Sequence, residues 1–78
     1  MKIIYTIHAE EMLKFRNIAK SLVDKCIRNP DQIISAREGK KIYLKDFGNK
    51  YLKTIAAGEE KHMVIVTVYW LAKRRLKS

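Results

Sequence analysis

At 78 residues the chain is long enough for one domain and excludes a second. Seventeen Lys and Arg against eight Asp and Glu give +9 at pH 7, which excludes an acidic surface and points to polyanionic partners. One cysteine excludes an intrachain disulfide, and the longest apolar run, residues 63–72 with Thr67 inside it, is about half a membrane span.

These limits carry further expectations. A chain this short buries only about 60–65% of its unfolded surface, so a protein partner or a homodimer is a natural source of extra stability. The first five residues have too short an apolar run for a signal peptide, so the expected compartment is the cytoplasm, with no membrane partner. The charge is segregated: residues 1–31 hold six basic and four acidic side chains (+2), and residues 32–78 hold eleven and four (+7).

In chain order, residues 2–6 are β-branched and aromatic and predict a strand. Thr6 reads as a helix N-cap, with Glu10 and Glu11 near the positive end of the helix dipole. Ala9, Met12 and Leu13 fall at helical spacing, predicting a first helix that ends near Arg16-Asn17. A second helix is predicted over roughly 18–29, with Ile18, Leu22, Val23, Cys26 and Ile27 on one stripe. Asn29-Pro30-Asp31 stops it, because the residue before proline avoids helical geometry. Cys26 on that stripe reads as a buried core thiol.

Beyond Pro30 the pattern predicts four strands, over 32–37, 41–47, 51–57 and 62–70. Glycine-bearing turns about ten residues apart, at 38–40, 48–50 and 58–61, separate the four. The predicted fold is therefore α+β in the order β-α-α-β-β-β-β, with two helices on one face of an antiparallel sheet and the other face open.

Period-two alternation puts Ile42 and Leu44 on one face and Lys41, Tyr43, Lys45 and Phe47 on the other. It likewise separates Leu52, Thr54 and Ala56 from Tyr51, Lys53 and Ile55. Placing the more apolar sets under the helices predicts an open face built from Lys41, Tyr43, Lys45, Tyr51 and Lys53. Ammonium groups there would hold phosphates while the rings stack on bases, so these residues are candidate nucleic-acid contacts. The last strand alternates Val64, Val66, Val68 and Trp70 with Met63, Ile65, Thr67 and Tyr69, which predicts a central position. Tyr69 stands either at the rim of a basic cleft, beside Lys73, Arg74 and Arg75, or in the core.

No metal-ligand spacing, glycine-rich phosphate loop or Cys/His pair is present, so no metal and no cofactor is expected. The residue inventory does permit metal-free RNA cleavage, in which the substrate's own 2′-hydroxyl is the nucleophile. The protein then supplies proton transfer from His or Tyr and phosphate neutralisation from Lys or Arg. His8, Tyr51 and Tyr69 are the proton-transfer candidates. His8, in the first turn of the first helix, reads either as a neutral base or as a structural ring at the sheet edge.

Four segments in order resemble a family of small domains with a Thr-x-His-Ala opening: Thr6-Ile7-His8-Ala9, Asn29-Pro30-Asp31, residues 45–52 and residues 66–70. The chain differs at Glu11, where that family often carries arginine before the Met. The family is in turn similar to the RelE/ParE superfamily of toxin–antitoxin systems, with its βααβββ-type order. That resemblance implies a toxin-like domain with a cognate acidic antitoxin as partner. It further implies, in the RelE branch, cleavage of mRNA free or on the ribosome, and in the ParE branch a protein target. By location it nominates Lys45, Lys53, Tyr69 and Arg74 as catalytic; the residues themselves add His8 to that set and Lys41, Tyr43, Tyr51, Lys73 and Arg75 as RNA contacts.

Overall fold

A computed structural model describes residues 2–58 and 61–72 of the chain. Its elements are β1 (Lys2–Tyr5), α1 (Ile7–Phe15), α2 (Lys20–Arg28), β2 (Gln32–Ser35), a 3-10 turn (Arg37–Gly39), β3 (Lys40–Asp46), β4 (Lys50–Gly58) and β5 (His62–Ala72). The expected α+β order stands, with one correction to the sheet. Its strand order is β1-β5-β4-β3-β2, and β1 runs parallel to β5, so the sheet is mixed and not wholly antiparallel. The two helices between β1 and the hairpin strands supply the crossover that a parallel pair requires.

Thr6 links β1, α1 and β5. Its backbone N–H donates to the Ile65 carbonyl at 3.1 Å, and its hydroxyl donates to the Val66 carbonyl at 3.2 Å. The same hydroxyl accepts the Ala9 N–H at 3.0 Å, the N-cap bond expected from sequence. Its two carbonyl partners lie at a β-bulge. Ile55 pairs with Thr67 and Ala56 with Ile65, leaving Val66 as the extra residue of β5.

That bulge changes which side chains share a face. Simple alternation puts Ile65 with Thr67 and Tyr69, whereas in the fold Ile65 joins Val68 and Trp70 under the helices. Thr67 and Tyr69 turn to the open side with Lys53, and Val64 lies on that side too.

The helices pack with Ala9, Leu13, Val23, Cys26 and Ile27 against Tyr43, Leu52, Ala56, Ile65 and Val68. Ile18 belongs to this core but precedes α2 instead of starting it. Its position comes from the end of α1. Asn17, at φ 55°, is left-handed; its N–H bonds the Lys14 carbonyl and that of Ile18 bonds the Leu13 carbonyl at 2.8 Å. This is the Schellman pattern, and it brings Leu13 and Ile18 together in the core. Each fully buried aliphatic side chain, such as Leu52 or Ile65, contributes about 1.5–3 kcal/mol.

Cys26 is buried as expected, with its thiol 3.4 Å from the Tyr43 carbonyl and 3.6 Å from the Leu52 carbonyl. One S–H can serve only one of them at a time. Thr54 Oγ1, fully buried near the sulfur, has no hydrogen-bond partner. At the opposite margin, Phe47 meets Trp70 edge-on at 6.1 Å, and Lys50 lies 5.6 Å from the Trp70 ring. Gly58 closes β4 at φ 127°, where a Cβ would collide with the His62 carbonyl.

Replacing Thr6 with Ala should lower stability by about 1–2 kcal/mol, a fall of roughly 4–16 °C in Tm, while Thr6→Ser should keep most of it. Equal melting curves for the two variants would remove the hydroxyl from this role.

Burial pushes the Cys26 thiol up despite the opposing influence of Thr54 and Lys45, and it raises Tyr43 as well. Tyr5 is raised by burial and then by Asp24 and Glu10. The unfolded thiol loses its proton near its ordinary value of 9.0, while the folded one holds it to higher pH. Unfolding therefore releases a proton in that window, and stability falls as pH rises above about 9. Urea midpoints measured from pH 7 to about 10.5 should show this loss, smaller in Cys26→Ala between about pH 8.5 and 9.5.

Candidate nucleic-acid interface

The ladder between β3 and β4 decides the composition of the open face. Tyr43 pairs with Thr54 and Lys45 with Leu52, so Lys41, Tyr43 and Lys45 share the helix side with buried Leu52 and Ala56. Ile42 and Leu44 lie on the other side, opposite Ile55 and Lys53. This corrects the expected five-residue face. Tyr43, expected as a nucleic-acid contact, is a core residue at 6% exposure, its hydroxyl 3.9 Å from the Met63 sulfur. Lys41 and Lys45 are on the covered face, with Lys45 near enough to Cys26 to influence its titration.

The reason is packing. A tyrosine offers more apolar area than the isoleucine beside it, and its hydroxyl is accommodated because it is only part-buried, against the Met63 sulfur.

Tyr51, Lys53 and Tyr69 do lie on the open face. Lys53 and Tyr69 are directly paired, and the Lys53 ammonium is 5.2 Å from the Tyr69 ring centroid. Tyr51 is two residues along β4, on the same side. A third group was not anticipated. Arg16, the C-cap of α1, places its guanidinium carbon 5.8 Å from the same Tyr69 ring. β1 ends its pairing at Tyr5 and Ile65, so the later part of β5 is flanked by α1 and not by a strand. Arg16 meets Tyr69 across that margin. Its only sequence signal was a basic residue at the predicted end of a helix.

Both cations are within the distance at which a ring's negative face attracts them. Among the described residues the ion pairs are Lys20–Glu10, Arg28–Asp24 and Lys40–Glu38, and neither Arg16 nor Lys53 takes part. Two like charges against one ring raise the local positive potential, and a bound anion would relieve it. A phenol beside two cations is also a usable donor to a phosphate oxygen.

The other candidates are not brought to this point. His8 is exposed in the first turn of α1, roughly 12 Å along the helix axis from Arg16. Lys73, Arg74 and Arg75 lie outside the described residues. Around the cluster the open face is mainly apolar, with Ile42, Ile55, Val64, Thr67 and Leu71 partly exposed and Ile34 more so. Among the described residues no group of His, Cys, Asp or Glu could hold a metal ion, and no helix is long and apolar enough to cross a membrane.

A family model for a domain of unknown function, DUF4258, matches residues 5–70. The chain belongs to that family. The match begins one residue before Thr6 and ends at Trp70, so it takes in the whole joint between β1, α1 and β5 and most of the DUF4258 open face. No curated protein and no solved structure matches the chain. Nothing in these comparisons ties DUF4258 to the RelE/ParE superfamily.

Arg16→Ala and Lys53→Ala should each weaken binding of single-stranded RNA at low salt. Each should also flatten the dependence of log K on log salt by about 0.7 for every phosphate the protein ceases to neutralise. Lys45→Ala removes the same unit charge from the covered face and should change the slope little. Fluorescence anisotropy across a salt series reads this, and equal slopes for Lys45→Ala and Lys53→Ala would mean that the charge acts without a localised site.

Proposed function

We propose that this domain is an RNA-binding toxin of the RelE kind, which cleaves mRNA without a metal ion and is held in check by an acidic antitoxin. The observation that carries the proposal is the cluster of Arg16, Lys53 and Tyr69 on the open sheet face, running from the end of α1 to the central strand β4. It joins two cations, each suited to a phosphate oxygen, with a phenol able to exchange a proton. The order of the elements, similar to the βααβββ type, supports the kinship.

In the reaction the 2′-oxygen of the RNA attacks the adjacent phosphorus and the bond to the 5′-oxygen breaks. The 2′-hydroxyl proton leaves to a base and the 5′-oxygen gains one. The products are a 2′,3′-cyclic phosphate and a 5′-hydroxyl, with no further reactant needed. Arg16 and Lys53 would neutralise the pentavalent phosphorane, and Tyr69 would give or take a proton. Lys73, Arg74 and Arg75 would add positive charge from the chain end, and the ribosome would position the message if it is required.

A second reading has its own support. The apolar part of the open face beside the cluster, with Ile42, Ile55 and Val64, suits a protein partner better than a phosphate backbone. A domain of that kind would bind RNA, a ribosomal surface or a protein without cutting, or act on a protein target as ParE-type toxins do.

The deciding measurement is RNA cleavage by the purified protein in EDTA, with and without ribosomes. Cleavage should yield cyclic phosphate ends and should stop when the target nucleotide is 2′-deoxy. Tyr69→Phe should slow it by about 100- to 10,000-fold. Salt-sensitive binding with no product under either condition would establish the non-catalytic reading. Absence of both binding and cleavage would remove RNA altogether.

A further inference from the structure

Phe15 is the last residue of α1 and is 79% exposed, the one aromatic among the exposed large hydrophobic side chains of the described residues. Its outward position has a definite cause. The Schellman bonds at Asn17 and Ile18 fix Leu13 and Ile18 inward, and a residue two places after Leu13 projects from a different side of the helix. At this exposure the ring leaves a face open to a flat partner. The adjacent Arg16 supplies the link. Its guanidinium carbon lies 5.8 Å from the Phe15 ring and 5.8 Å from the Tyr69 ring, so one cation stands between an exposed aromatic face and the phosphate-binding cluster.

We propose that Phe15 is a stacking platform for an unpaired nucleobase, so that the site takes single-stranded RNA and discriminates against duplexes and base-free polyanions. This rests on the RNA-binding reading above and names the form of RNA that is bound. A single strand can lay its phosphates along Arg16 and Lys53 while turning one base onto the Phe15 ring. In a duplex the bases are stacked inward and cannot reach it. The ring stacks on any base, so the platform selects strandedness without selecting sequence. Its place at a bonded helix end, not on a free loop, means that little ordering accompanies the contact.

The test compares three probes matched in phosphate count: a single-stranded RNA, an abasic single strand and a hairpin duplex. Wild-type protein should prefer the base-bearing single strand. Phe15→Ala should lower that affinity by about 5- to 100-fold, leave the abasic strand unaffected and so erase the preference. Phe15→Tyr should behave like wild type, whereas Phe15→Leu, apolar but without a π face, should behave like Phe15→Ala. Thermal melts of each variant check folding, which an exposed residue should barely affect.

Wild-type affinity in Phe15→Ala or Phe15→Leu, or equal losses on the abasic and base-bearing strands, overturns the platform. If abasic binding still depends on Arg16 and Lys53 in that case, the RNA reading stands and only the platform falls. If wild-type protein binds none of the probes, the RNA reading itself has failed. A Phe15→Ala variant that loses a protein partner while keeping full RNA affinity assigns the ring to a protein interface instead.

Discussion

The fold depends on the joint at Thr6. Three hydrogen bonds from one residue start α1, anchor the end of β1 and hold β5 at its bulge. Each of those acts would otherwise leave a backbone group unpaired: the Ala9 N–H at a helix start, or the carbonyls of a strand departing from its ladder. The bulge in turn sets the phase of β5. With Val66 as the extra residue, Ile65 and Val68 both reach the core, and Tyr69 falls opposite Lys53 on the open side. The functional cluster is thus a consequence of how the first strand is joined to the last.

The other end of α1 is fixed with equal definition. The left-handed Asn17 lets the chain reverse so that Leu13 and Ile18 close the core beneath the helix. Arg16 and Phe15 are displaced outward by the same geometry. Between Thr6 and Asn17, α1 therefore acts as a strut: one end is bonded to the β5 bulge, and the other presents a cation to the tyrosine four residues beyond Ile65. The charge of the chain is less concentrated than its composition suggests, because Lys41 and Lys45 belong to the helix side and much of the open face is apolar. A surface with an apolar part beside a cationic aromatic cluster can serve RNA and protein at neighbouring points.

The local features were legible from the residues. Thr6 as a cap, Asn29-Pro30 as a stop, the glycine turns and Cys26 in the core each follow from chemistry within a few positions. The face assignments were not legible, for two physical reasons. Alternation separates Tyr43 from Ile42 but does not say which faces the helices, and both carry enough apolar area to fill a core. A bulge also shifts the phase without any glycine or proline to announce it; Val66 is an ordinary strand residue. Arg16 was missed because its partner is 53 positions away in the chain.

The sequence by itself determined the element order, the helix ends, the excess of positive charge and the α+β class, because these rest on near-neighbour sterics, capping and composition. The tertiary structure alone decided that β1 lies parallel to β5, that Tyr43 is inside, and that Arg16, Lys53 and Tyr69 meet. The first and last depend on how Thr6 joins β1 and α1 to the β5 bulge, and the burial of Tyr43 on the register between β3 and β4. Such long-range choices are made by competing buried surfaces, and no local pattern encodes their outcome.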